Sequence, residues 1–417
     1  MEYLIIGNSA AAVGAVEGIR AHDSEGGITL IASEKHHSYS RPLISYLLQG
    51  KTDRERMKYR PDSFYADNGC KTVFGKTVTK LNKDEKTVEL CDGTSMSYDK
   101  LLVATGSSPF VPPMAGLETV EKKFSFMSLD DANALEQALY PEARVLIIGA
   151  GLIGLKCAEG IKARVGKISV VDLAPRILSS ILDEAGAKMV QTHLEKQGLE
   201  FRLGVSVKNF DVGKAELTSG ETLEFDILVT AVGVKPNVSL VKDAGGEVDR
   251  GIIVDESMQT TLPGVYAAGD CVMSYDLSCD SKRILAILPN AYVGGFSAGT
   301  AMAGAVPKPL KAMPMNAIGF FGLHIITAGS YEGESYETKD SENYKKLFYS
   351  GDLMKGFILI GDVDKAGIYT ALVREKTPLS GIDFELICRE PSLIALGRSY
   401  RNVKLGGEKT TEVSNSF

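Results

Sequence analysis

The sequence predicts an α/β fold with two Rossmann-like units in tandem and a small α+β domain at the C-terminal end. Residues 4–12 (LIIGNSAAA) resemble residues 146–154 (LIIGAGLIG), and each copy runs from an apolar stretch through a turn of small residues into a helical pattern. Each copy has a second apolar strand downstream, at residues 28–33 and 168–172. Repeated strand–helix–strand units favour parallel sheets covered by helices on both faces.

A similar strand-to-loop segment closes each copy, at residues 101–106 (LLVATG) and 228–233 (LVTAVG). Beyond residue 313 the pattern changes to short elements, with strands predicted at residues 320–328, 345–349 and 357–360 and helices at residues 366–374 and 391–397. This change of pattern predicts the separate α+β domain.

Composition and charge narrow the class of protein. The chain has 417 residues, enough for two or three domains, of which 44% are hydrophobic and 24% charged. Its net charge is −7 and it has no block of Lys and Arg, which argues against nucleic acid or an anionic membrane surface as the main partner. Because no apolar stretch is long enough to span a membrane and no signal peptide precedes the first strand, we expect a cytoplasmic protein.

The cysteines and histidines indicate no metal site. The cysteines form neither a C-x-x-C pair nor a metal-like spacing, and we expect free thiols, at Cys70, Cys91, Cys157, Cys271, Cys279 and Cys388. A redox pair of Cys271 with Cys279 is the alternative. We expect His324 in the core of the C-terminal domain, and His36 and His37 either in a solvated loop or at the edge of an adenine.

The second copy carries the full glycine pattern of a dinucleotide-binding turn. Gly149 makes the tight turn, Gly151 lets the backbone approach a pyrophosphate, and Gly154 lets helix and strand pack closely. The helix N-terminus then faces the phosphates. Asp172 ends the next strand, where an acid hydrogen-bonds an adenosine ribose and repels a 2′-phosphate. NADPH sites place Arg near this acid instead, whereas Arg176 lies four residues beyond Asp172, past Pro175. We therefore favour NADH over NADPH.

The first copy has a degenerate form of the same turn. Ser9 stands where the second glycine is expected and Ala12 where the third is expected, after Gly7. Glu34 ends the following strand at the ribose-binding position. The alternative is a structural turn with a surface acid. The order of turn, helix, strand and acid favours a second dinucleotide site.

Four further segments carry a family resemblance: residues 39–47 (YSRPLISYL), 101–106, 231–237 (AVGVKPN) and 260–271 (TTLPGVYAAGDC). Together with the two turns, they resemble the FAD-dependent pyridine nucleotide-disulfide oxidoreductase superfamily over almost the whole chain. The sequence is most similar to its branch of NADH:rubredoxin reductases, NADH oxidases and the flavin part of large nitrite reductase subunits. This resemblance implies FAD and NAD(H) as cofactors.

The resemblance also assigns site residues. Asp270 would hydrogen-bond the ribityl chain of FAD, and a helix starting near Asn290 would face the flavin pyrimidine. The strand of Val78 would contact adenine. The expected FAD-binding residues are Gly7, Ser9, Ala10, Ala11, Glu34, Arg41, Pro42, Val78, Ala104, Thr105, Gly106, Gly269, Asp270, Asn290 and Ala291. The expected NAD-binding residues are Gly149, Gly151, Leu152, Ile153, Gly154, Asp172, Val232 and Gly233.

In this superfamily the chain returns to the FAD-binding domain after the NAD-binding domain. The resemblance therefore implies a discontinuous FAD-binding domain, at residues 1–113 and 240–313, and an NAD(H)-binding domain at residues 114–239. It also implies a C-terminal α+β domain at residues 314–402 and a tail at residues 403–417. Because the C-terminal domain of relatives often forms a subunit interface, we expect homo- or hetero-oligomers.

Two departures from the family pattern bear on mechanism. Disulfide reductases of the superfamily carry a cysteine pair, and single-cysteine relatives carry Cys where this chain has Pro42. Thiol–disulfide exchange beside the flavin is therefore excluded, and electrons must pass directly from flavin to the acceptor. Relatives also place Glu where this chain has Lys156, and often Lys where it has Tyr46. Lys156 is a candidate catalytic residue near the flavin and nicotinamide, with an ordinary surface lysine as the equal alternative.

The resemblance and the missing cysteine together predict an NADH-dependent FAD oxidoreductase. It would pass electrons between NAD(H) and a protein iron or iron–sulfur acceptor: rubredoxin, ferredoxin or a partner metalloenzyme subunit. Running in reverse, it would reduce NAD with electrons from that subunit. The alternatives are an NADH oxidase or small-molecule reductase, and a flavoprotein module that senses NADH and regulates a partner.

Overall fold

A computed structural model describes residues 1–397 and residue 401. The chain forms two compact units, which comprise Met1–Tyr275 with Lys282–Ala312, and Asp276–Ser281 with the residues from Met313 onward. The predicted tail lies outside the described residues. The predicted division into FAD-binding and NAD(H)-binding domains falls inside the first unit and stays a prediction. Among the described residues, no helix is both long and apolar enough to cross a membrane.

The N-terminal part of the first unit contains a parallel sheet and a small antiparallel sheet. Its elements are β1 (Glu2–Ile6), α1 (Ala10–Arg20), β2 (Gly27–Ala32), α2 (Ile44–Leu48), α3 (Phe64–Asp67), β3 (Cys70–Phe74), β4 (Val78–Asn82), β5 (Thr87–Leu90), β6 (Ser95–Ser97), β7 (Lys100–Val103) and β8 (Ser107–Pro109). β4, β5 and β6 form the antiparallel sheet. β1 is apolar along Leu4, Ile5 and Ile6 because parallel strands are buried on both faces.

The middle of the first unit repeats this arrangement. Its elements are β9 (Lys123–Phe124), α4 (Leu129–Ala138), β10 (Arg144–Ile148), α5 (Leu152–Ile161), β11 (Lys167–Asp172), α6 (Glu184–Lys196), β12 (Leu199–Leu203), β13 (Val207–Asp211), β14 (Lys214–Leu217), β15 (Thr222–Glu224), β16 (Ile227–Thr230), β17 (Val234–Pro236) and α7 (Ser239–Asp243). A parallel sheet has the order β12-β11-β10-β16-β9, and β13, β14 and β15 form an antiparallel sheet. The predicted α/β fold with two Rossmann-like sheets is confirmed.

The chain then returns to the first sheet. The returning elements are β18 (Ile252–Ile253), β19 (Val265–Ala267), β20 (Val272–Asp276), β21 (Ser281–Arg283) and α8 (Leu288–Met302). β19 pairs in parallel with β7, so the first sheet has the order β19-β7-β1-β2-β3. β8 and β17 form an antiparallel ribbon between the two parallel sheets.

Helices α1 and α8 pack against each other at very short range. A Cβ atom placed on Gly14 of α1 would lie 2.2 Å from the Tyr292 carbonyl oxygen, and one placed on Gly295 of α8 would lie 1.9 Å from the Ala11 carbonyl oxygen. Each helix therefore needs glycine where it meets the other's backbone. This contact fixes the N-terminal ends of both helices relative to the first sheet.

The second unit has a five-stranded antiparallel sheet with the order β22-β23-β26-β25-β24. Its elements are β22 (Met315–Phe320), β23 (Leu323–Gly329), β24 (Glu334–Lys339), β25 (Tyr344–Ser350), β26 (Leu353–Ile360), α9 (Ala366–Arg374) and α10 (Phe384–Arg389). The core includes Phe357 of β26 and Tyr369 of α9, whose ring centroids lie 5.5 Å apart. The predicted α+β class of this domain is confirmed.

Several sequence expectations for the second unit were wrong in detail. The strand predicted at residues 320–328 is β23, but it starts only at Leu323, because Phe321 and Gly322 both adopt positive φ, at 48° and 88°, and turn the chain after β22. Phenylalanine gives no turn signal. The predicted helix at residues 391–397 is only the 3-10 turn Leu393–Ala395, and β24 and α10 had no prediction. His324 is exposed on β23 rather than in the core.

Candidate cofactor-binding sites

The degenerate first turn has the geometry of a dinucleotide-binding turn. Gly7 follows β1 with φ 126°, and a Cβ atom on it would lie 2.2 Å from the Ala104 carbonyl oxygen. Ser9 is the N-cap of α1. Ala10 and Ala11 occupy its first turn, and both are buried. Only small residues leave the helix N-terminus open to an anion at this position.

Three distant segments converge on this helix N-terminus. Gly269 has φ 89°, and a Cβ atom on it would lie 3.3 Å from the Ala11 Cβ and 3.8 Å from the Ala291 Cβ. The starts of α1 and α8 therefore meet at the Gly269–Asp270 turn. Ser107, just after the predicted FAD-binding loop 104–106, donates a hydrogen bond to Asp270 Oδ2 at 3.3 Å. The structure thus brings together predicted site residues from four parts of the chain.

Asp270 is a partly buried carboxylate with two favourable neighbours. Burial raises the pKa of Asp270 above its ordinary value, while the hydrogen bond from Ser107 and the charge of Arg41 act in the opposite direction. A carboxylate in such surroundings is a strong hydrogen-bond acceptor for a ligand hydroxyl. The position of Ser107 could not be read from the sequence, because it depends on the pairing of distant loops.

Glu34 lies in a network that closes the end of β2. Tyr39 donates a hydrogen bond to Glu34 Oε2 at 2.6 Å, and Arg41 forms an ion pair with Glu34 Oε1. Tyr39 Oη also accepts a hydrogen bond from the Leu129 backbone at 2.9 Å, and Arg41 donates to the Met127 carbonyl at 3.2 Å. Burial raises the pKa of Tyr39. Tyr39 was not among the predicted FAD-binding residues, although it lies within the segment 39–47 that carries the family resemblance.

Buried polar atoms support a ligand at this site. Among the described residues, Ser38 Oγ, His37 Nε2 and Asn290 Nδ2 are buried without a hydrogen-bond partner. An unpaired buried polar group is unfavourable by about 1–3 kcal/mol, so a bound polar group is expected to satisfy it. His37 also packs at 4.8 Å from the Tyr65 ring, and His36 pairs with Asp130 at 2.7 Å. The expectation of a solvated histidine loop was therefore wrong.

The remaining predicted FAD residues lie at the margins of this site. Val78 starts β4, is 8% exposed and pairs with Leu90. Thr105 and Gly106 are partly exposed, and a Cβ atom on Gly106 would have no neighbour within 4 Å. Pro42 is exposed in the 3-10 turn before α2. These positions agree with a ligand-lining role, which stays a prediction.

The second turn follows the glycine pattern residue by residue. A Cβ atom on Gly149, where φ is 112°, would lie 2.2 Å from the Ala231 carbonyl oxygen. One on Gly154 would lie 2.0 Å from the Gly149 carbonyl oxygen. Gly151, the N-cap of α5, has open space beyond it instead. Two glycines therefore serve the packing of the turn, while the third leaves room for a ligand.

Asp172 is fixed by backbone amides at the same turn. Its Oδ2 accepts a hydrogen bond from Ala150 N at 2.6 Å, and its Oδ1 accepts one from Ala174 N at 2.7 Å. Arg176 instead donates to the carbonyl oxygens of Ser179 and Leu182, both at 3.3 Å. The carboxylate thus lies at the second glycine turn, while the Arg176 guanidinium is directed to the carbonyl oxygens of a different segment.

The other predicted NAD-binding residues border this turn. Leu152 and Ile153 form the first turn of α5 and are partly exposed. Val232 and Gly233 follow β16, and Gly233 has φ 129° and accepts a hydrogen bond from Phe110 N at 2.9 Å. These two pairs of residues border the glycine turn 149–154 from two sides. The predicted NAD-binding residues therefore all lie at one end of the second parallel sheet.

Lys156 lies at the contact between α2 and α5. It forms an ion pair with Glu159, and its Nζ lies 4.5 Å from the centroid of the Tyr46 ring. Its side chain is 17% exposed and is therefore mostly removed from solvent. Positions 46 and 156, which both depart from the family pattern, are in contact in the structure, and the role of Lys156 toward a cofactor stays a prediction.

The sequence matches the family model described as "Pyridine nucleotide-disulphide oxidoreductase" over residues 1–295. The chain belongs to the pyridine nucleotide-disulphide oxidoreductase family. A second match, described as "Rubredoxin NAD+ reductase C-terminal domain", covers residues 314–377 of this oxidoreductase. The family uses FAD and NAD(H), so the predicted enzyme class and cofactors are confirmed.

The chain is also similar to curated proteins and to solved structures. It is 33% identical over 410 residues to the "NADH-dependent phenylglyoxylate dehydrogenase subunit epsilon" of Aromatoleum evansii, covering 95% of this chain and 96% of that protein. It is 30% identical to the "Assimilatory nitrate reductase electron transfer subunit" of Bacillus subtilis, with 89% of this chain but only about half, 49%, of that protein covered. The crystal structure of a covalent putidaredoxin reductase–putidaredoxin complex matches with a TM-score of 0.86 at 25% identity, covering 94% of this chain and 98% of that one.

Proposed function

We propose that the chain is an NADH-dependent flavoprotein reductase that passes electrons between NAD(H) and an iron or iron–sulfur centre of a partner protein, without an active-site disulfide. One observation carries the proposal. The position at which the family resemblance expects a redox thiol is Pro42. Cys157 on α5 and Cys271, which follows the Gly269–Asp270 turn, are both 0% exposed.

The buried thiols are unsuited to redox relay. Burial raises the pKa of Cys157, and it raises the pKa of Cys271 to about 11, so both remain neutral at neutral pH. Thiol–disulfide exchange requires an accessible thiolate. Cys271 Sγ lies 3.5 Å from the Val103 carbonyl oxygen and 3.4 Å from the Ala268 carbonyl oxygen, deep beside β7. This arrangement supports direct electron transfer from flavin to the acceptor.

The relatives support a protein acceptor. The phenylglyoxylate dehydrogenase relative is named as a subunit, and the match spans nearly all of both chains. The C-terminal family model is named for a rubredoxin reductase, and the solved relative is linked to putidaredoxin. We infer that the acceptor is a metalloenzyme subunit or a small electron carrier such as rubredoxin or ferredoxin. In a complex, electrons could equally flow from that subunit to NAD.

The residues of the two turns bind and orient the cofactors in this proposal. When bound, FAD supplies the chemistry that connects two-electron exchange with NAD(H) to one-electron exchange with a metal centre. Ser9 and the N-terminus of α1 would face the FAD phosphates, and Asp270 would accept a hydrogen bond from the sugar-alcohol chain. Asp172 would orient the NAD ribose. Holding two rings in register contributes most of the protein's share of the rate.

Anaerobic titration of the purified full chain tests the proposal. The flavin spectrum is recorded first, NADH or NADPH is added, and rubredoxin, ferredoxin and oxygen are then supplied separately. We expect bleaching by NADH and fast reoxidation by an iron protein only. Fast reoxidation by oxygen alone would establish the oxidase alternative. Tight NADH binding with negligible turnover toward every acceptor would support the sensing module instead.

The second unit supplies a surface for association. Leu393 and Ile394 are 45% and 70% exposed in its last 3-10 turn. Adjacent exposed aliphatic side chains favour a protein contact, so we propose that this unit joins homo- or hetero-oligomers. Light scattering of a Leu393→Ser/Ile394→Ser double variant tests this point, because an unchanged mass would contradict it. The six free cysteines fit a reducing compartment, which supports a cytoplasmic location.

A further inference from the structure

The contact between α2 and α5 contains a cation held by two partners. Lys156 pairs with Glu159, whose side chain is 6% exposed, and its ammonium group lies 4.5 Å from the centroid of the Tyr46 ring. A second cation, Lys51, lies 6.0 Å from the same ring. A charge that is mostly removed from water is unfavourable unless it is paired. Here the ion pair and the aromatic face provide that compensation.

The two helices belong to different cofactor-binding parts of the first unit. α2 follows the Arg41–Pro42 segment, and Arg41 is paired with Glu34 at the end of β2. α5 starts at the second glycine turn, with Gly151 as its N-cap. The helices touch closely, because a Cβ atom on Gly160 would lie 3.1 Å from the Ser45 carbonyl oxygen.

This junction constrains where the two cofactor rings can meet. Electron transfer by hydride requires the nicotinamide and flavin rings to be in contact. If FAD occupies the first site and NAD(H) the second, the rings must meet where the two parts of the unit face each other. Lys156 lies on the second turn of α5 at that boundary.

Three charged groups, Lys156, Lys51 and Glu159, lie at the contact between α2 and α5. Lys156 and Lys51 together carry two positive charges, while Glu159 carries one negative charge, so these three groups have a formal excess of one positive charge. Uptake of a hydride, which is two electrons and one proton, adds one negative charge to the flavin. A nearby positive charge favours that form, and at a partly buried site it is screened less than in water.

We propose that Lys156, held by Glu159 and by the face of Tyr46, is a positioning residue that raises the reduction potential of the bound flavin. This inference rests on the proposed function, because it requires FAD in the first site. The side chain delivers a fixed charge and takes no proton from the reaction. It acts through its place at the boundary between the two sites.

The test is the midpoint potential of the bound flavin, measured by anaerobic spectroelectrochemistry. Lys156→Met removes the charge and keeps the side-chain length, and Lys156→Arg keeps the charge. We expect Lys156→Met to change the reduction equilibrium about tenfold toward the oxidised form, a decrease of about 30 mV for a two-electron couple. Lys156→Arg should retain most of the wild-type potential.

Lys167→Met is the matched control, because it also removes one positive charge from an ion pair, with Glu200 at 3.0 Å, but its side chain is 49% exposed on β11. It should leave the potential unchanged. If Lys156→Met has the midpoint potential of the wild type and only a lower melting temperature, Lys156 serves packing alone and the inference is overturned. An equal shift in Lys167→Met would overturn it as well.

If Lys156→Met does not retain flavin, Tyr46→Leu and Tyr46→Phe decide the question. Tyr46→Leu removes the aromatic face that holds the Lys156 ammonium group and should lower the midpoint potential. Tyr46→Phe keeps the aromatic face and should have the midpoint potential of the wild type. Identical potentials in both Tyr46 variants would contradict the proposed arrangement. Titration of the wild type with NADH separates the two proposals. If NADH bleaches the flavin but the midpoint potential is unchanged in every variant, this inference is overturned and the proposed function remains.

Discussion

Thr105 and Asn237 exchange two hydrogen bonds between the loops that follow the two parallel sheets. Thr105 Oγ1 donates to the Asn237 carbonyl oxygen at 2.7 Å, and Asn237 Nδ2 donates to the Thr105 carbonyl oxygen at 2.9 Å. Strand β8 starts two residues after Thr105, and its partner β17 ends immediately before Asn237. The two bonds therefore tie the loop predicted to contact FAD to the loop predicted to contact NAD.

Replacing Asn237 should loosen this connection. We expect Asn237→Ala to lower the free energy of unfolding by about 1–3 kcal/mol, because the Thr105 carbonyl loses its donor. The variant should also bind FAD more weakly, since residues 104–106 lose one of the hydrogen bonds that hold them. Ser108→Ala is the control: Ser108 is exposed and donates to Asn237 Oδ1 at 2.8 Å, so its loss should change little. Denaturant unfolding and FAD titration of the apoprotein measure both effects, and equal values for the two variants would contradict this assignment.

The glycines of the second turn should separate folding from cofactor binding. Gly149→Ala should destabilise the protein by several kcal/mol, because its Cβ would clash with the Ala231 carbonyl oxygen and its φ is 112°. Gly151→Ala should leave the melting temperature unchanged, since φ is −82° and the space beyond it is open.

The second variant then reports on the ligand. If the NAD pyrophosphate approaches Gly151, the added methyl group should weaken NADH binding by about tenfold or more, which corresponds to at least about 1.4 kcal/mol. Isothermal titration of folded Gly151→Ala with NADH measures this change. Wild-type affinity in this variant would place the pyrophosphate elsewhere.

Asp172 should determine the preference for NADH. Its carboxylate is held by the amides of Ala150 and Ala174, so it cannot swing away from a 2′-phosphate. We expect Asp172→Ala to reduce the ratio of the NADH affinity to the NADPH affinity by about tenfold or more. The reason is that the variant removes the repulsion between the Asp172 carboxylate and the 2′-phosphate of NADPH. Dissociation constants for both nucleotides, with Glu200→Ala as a charge control on the neighbouring strand β12, test this expectation. A ratio that changes equally in both variants would argue for a general charge effect.

Acid should weaken the second sheet through Asp226. Arg144, which starts β10, donates to both carboxylate oxygens of Asp226, and this hydrogen bonding lowers the pKa of Asp226 to about 2. The folded-state pKa lies below the unfolded value of about 3.9, so the stabilisation is present above about pH 4 and is lost as the pH falls toward 2. Asp226→Asn should therefore be less stable at pH 7, by about 1 kcal/mol after allowance for solvent screening.

The difference between wild type and Asp226→Asn should disappear as the pH approaches 2. Glu224→Gln is the matched control, because Glu224 also contacts Arg144, at 2.5 Å, but its side chain is 60% exposed. Such a surface pair contributes little. Denaturant unfolding between pH 2 and pH 7 measures the effect, and a pH-independent difference for Asp226→Asn would mean that the carboxylate charge is not responsible.

Alkylation should show whether thiols carry electrons. Cys91 is exposed and should react with iodoacetamide, whereas Cys157 and Cys271 are buried and should be protected until the protein unfolds. We expect full electron transfer from NADH to an iron protein after alkylation of the native protein. Loss of that transfer on alkylation of the wild type, together with its loss in unalkylated Cys91→Ser, would instead assign a role to Cys91.

The sequence determined the class of fold and most of the candidate site. Gly149, Gly151 and Gly154 predict their turn by their spacing, and the structure confirms that Gly149 and Gly154 leave no room for a Cβ atom. The apolar runs of β1 and β10 predict buried parallel strands. Local chemistry was enough for these elements because each depends on neighbours along the chain.

Tertiary structure decided the contacts between distant segments. The ion pair of Glu34 with Arg41, the bond from Ser107 to Asp270 and the link between Thr105 and Asn237 have no local signal in the sequence. The sequence left Lys156 open between a surface residue and a site residue. Packing of α2 on α5 removed it from the surface and placed it against Tyr46. The burial of a side chain and the identity of its hydrogen-bond or ion-pair partner depend on how helices and sheets pack. These features are therefore determined by the tertiary structure and not by the local sequence.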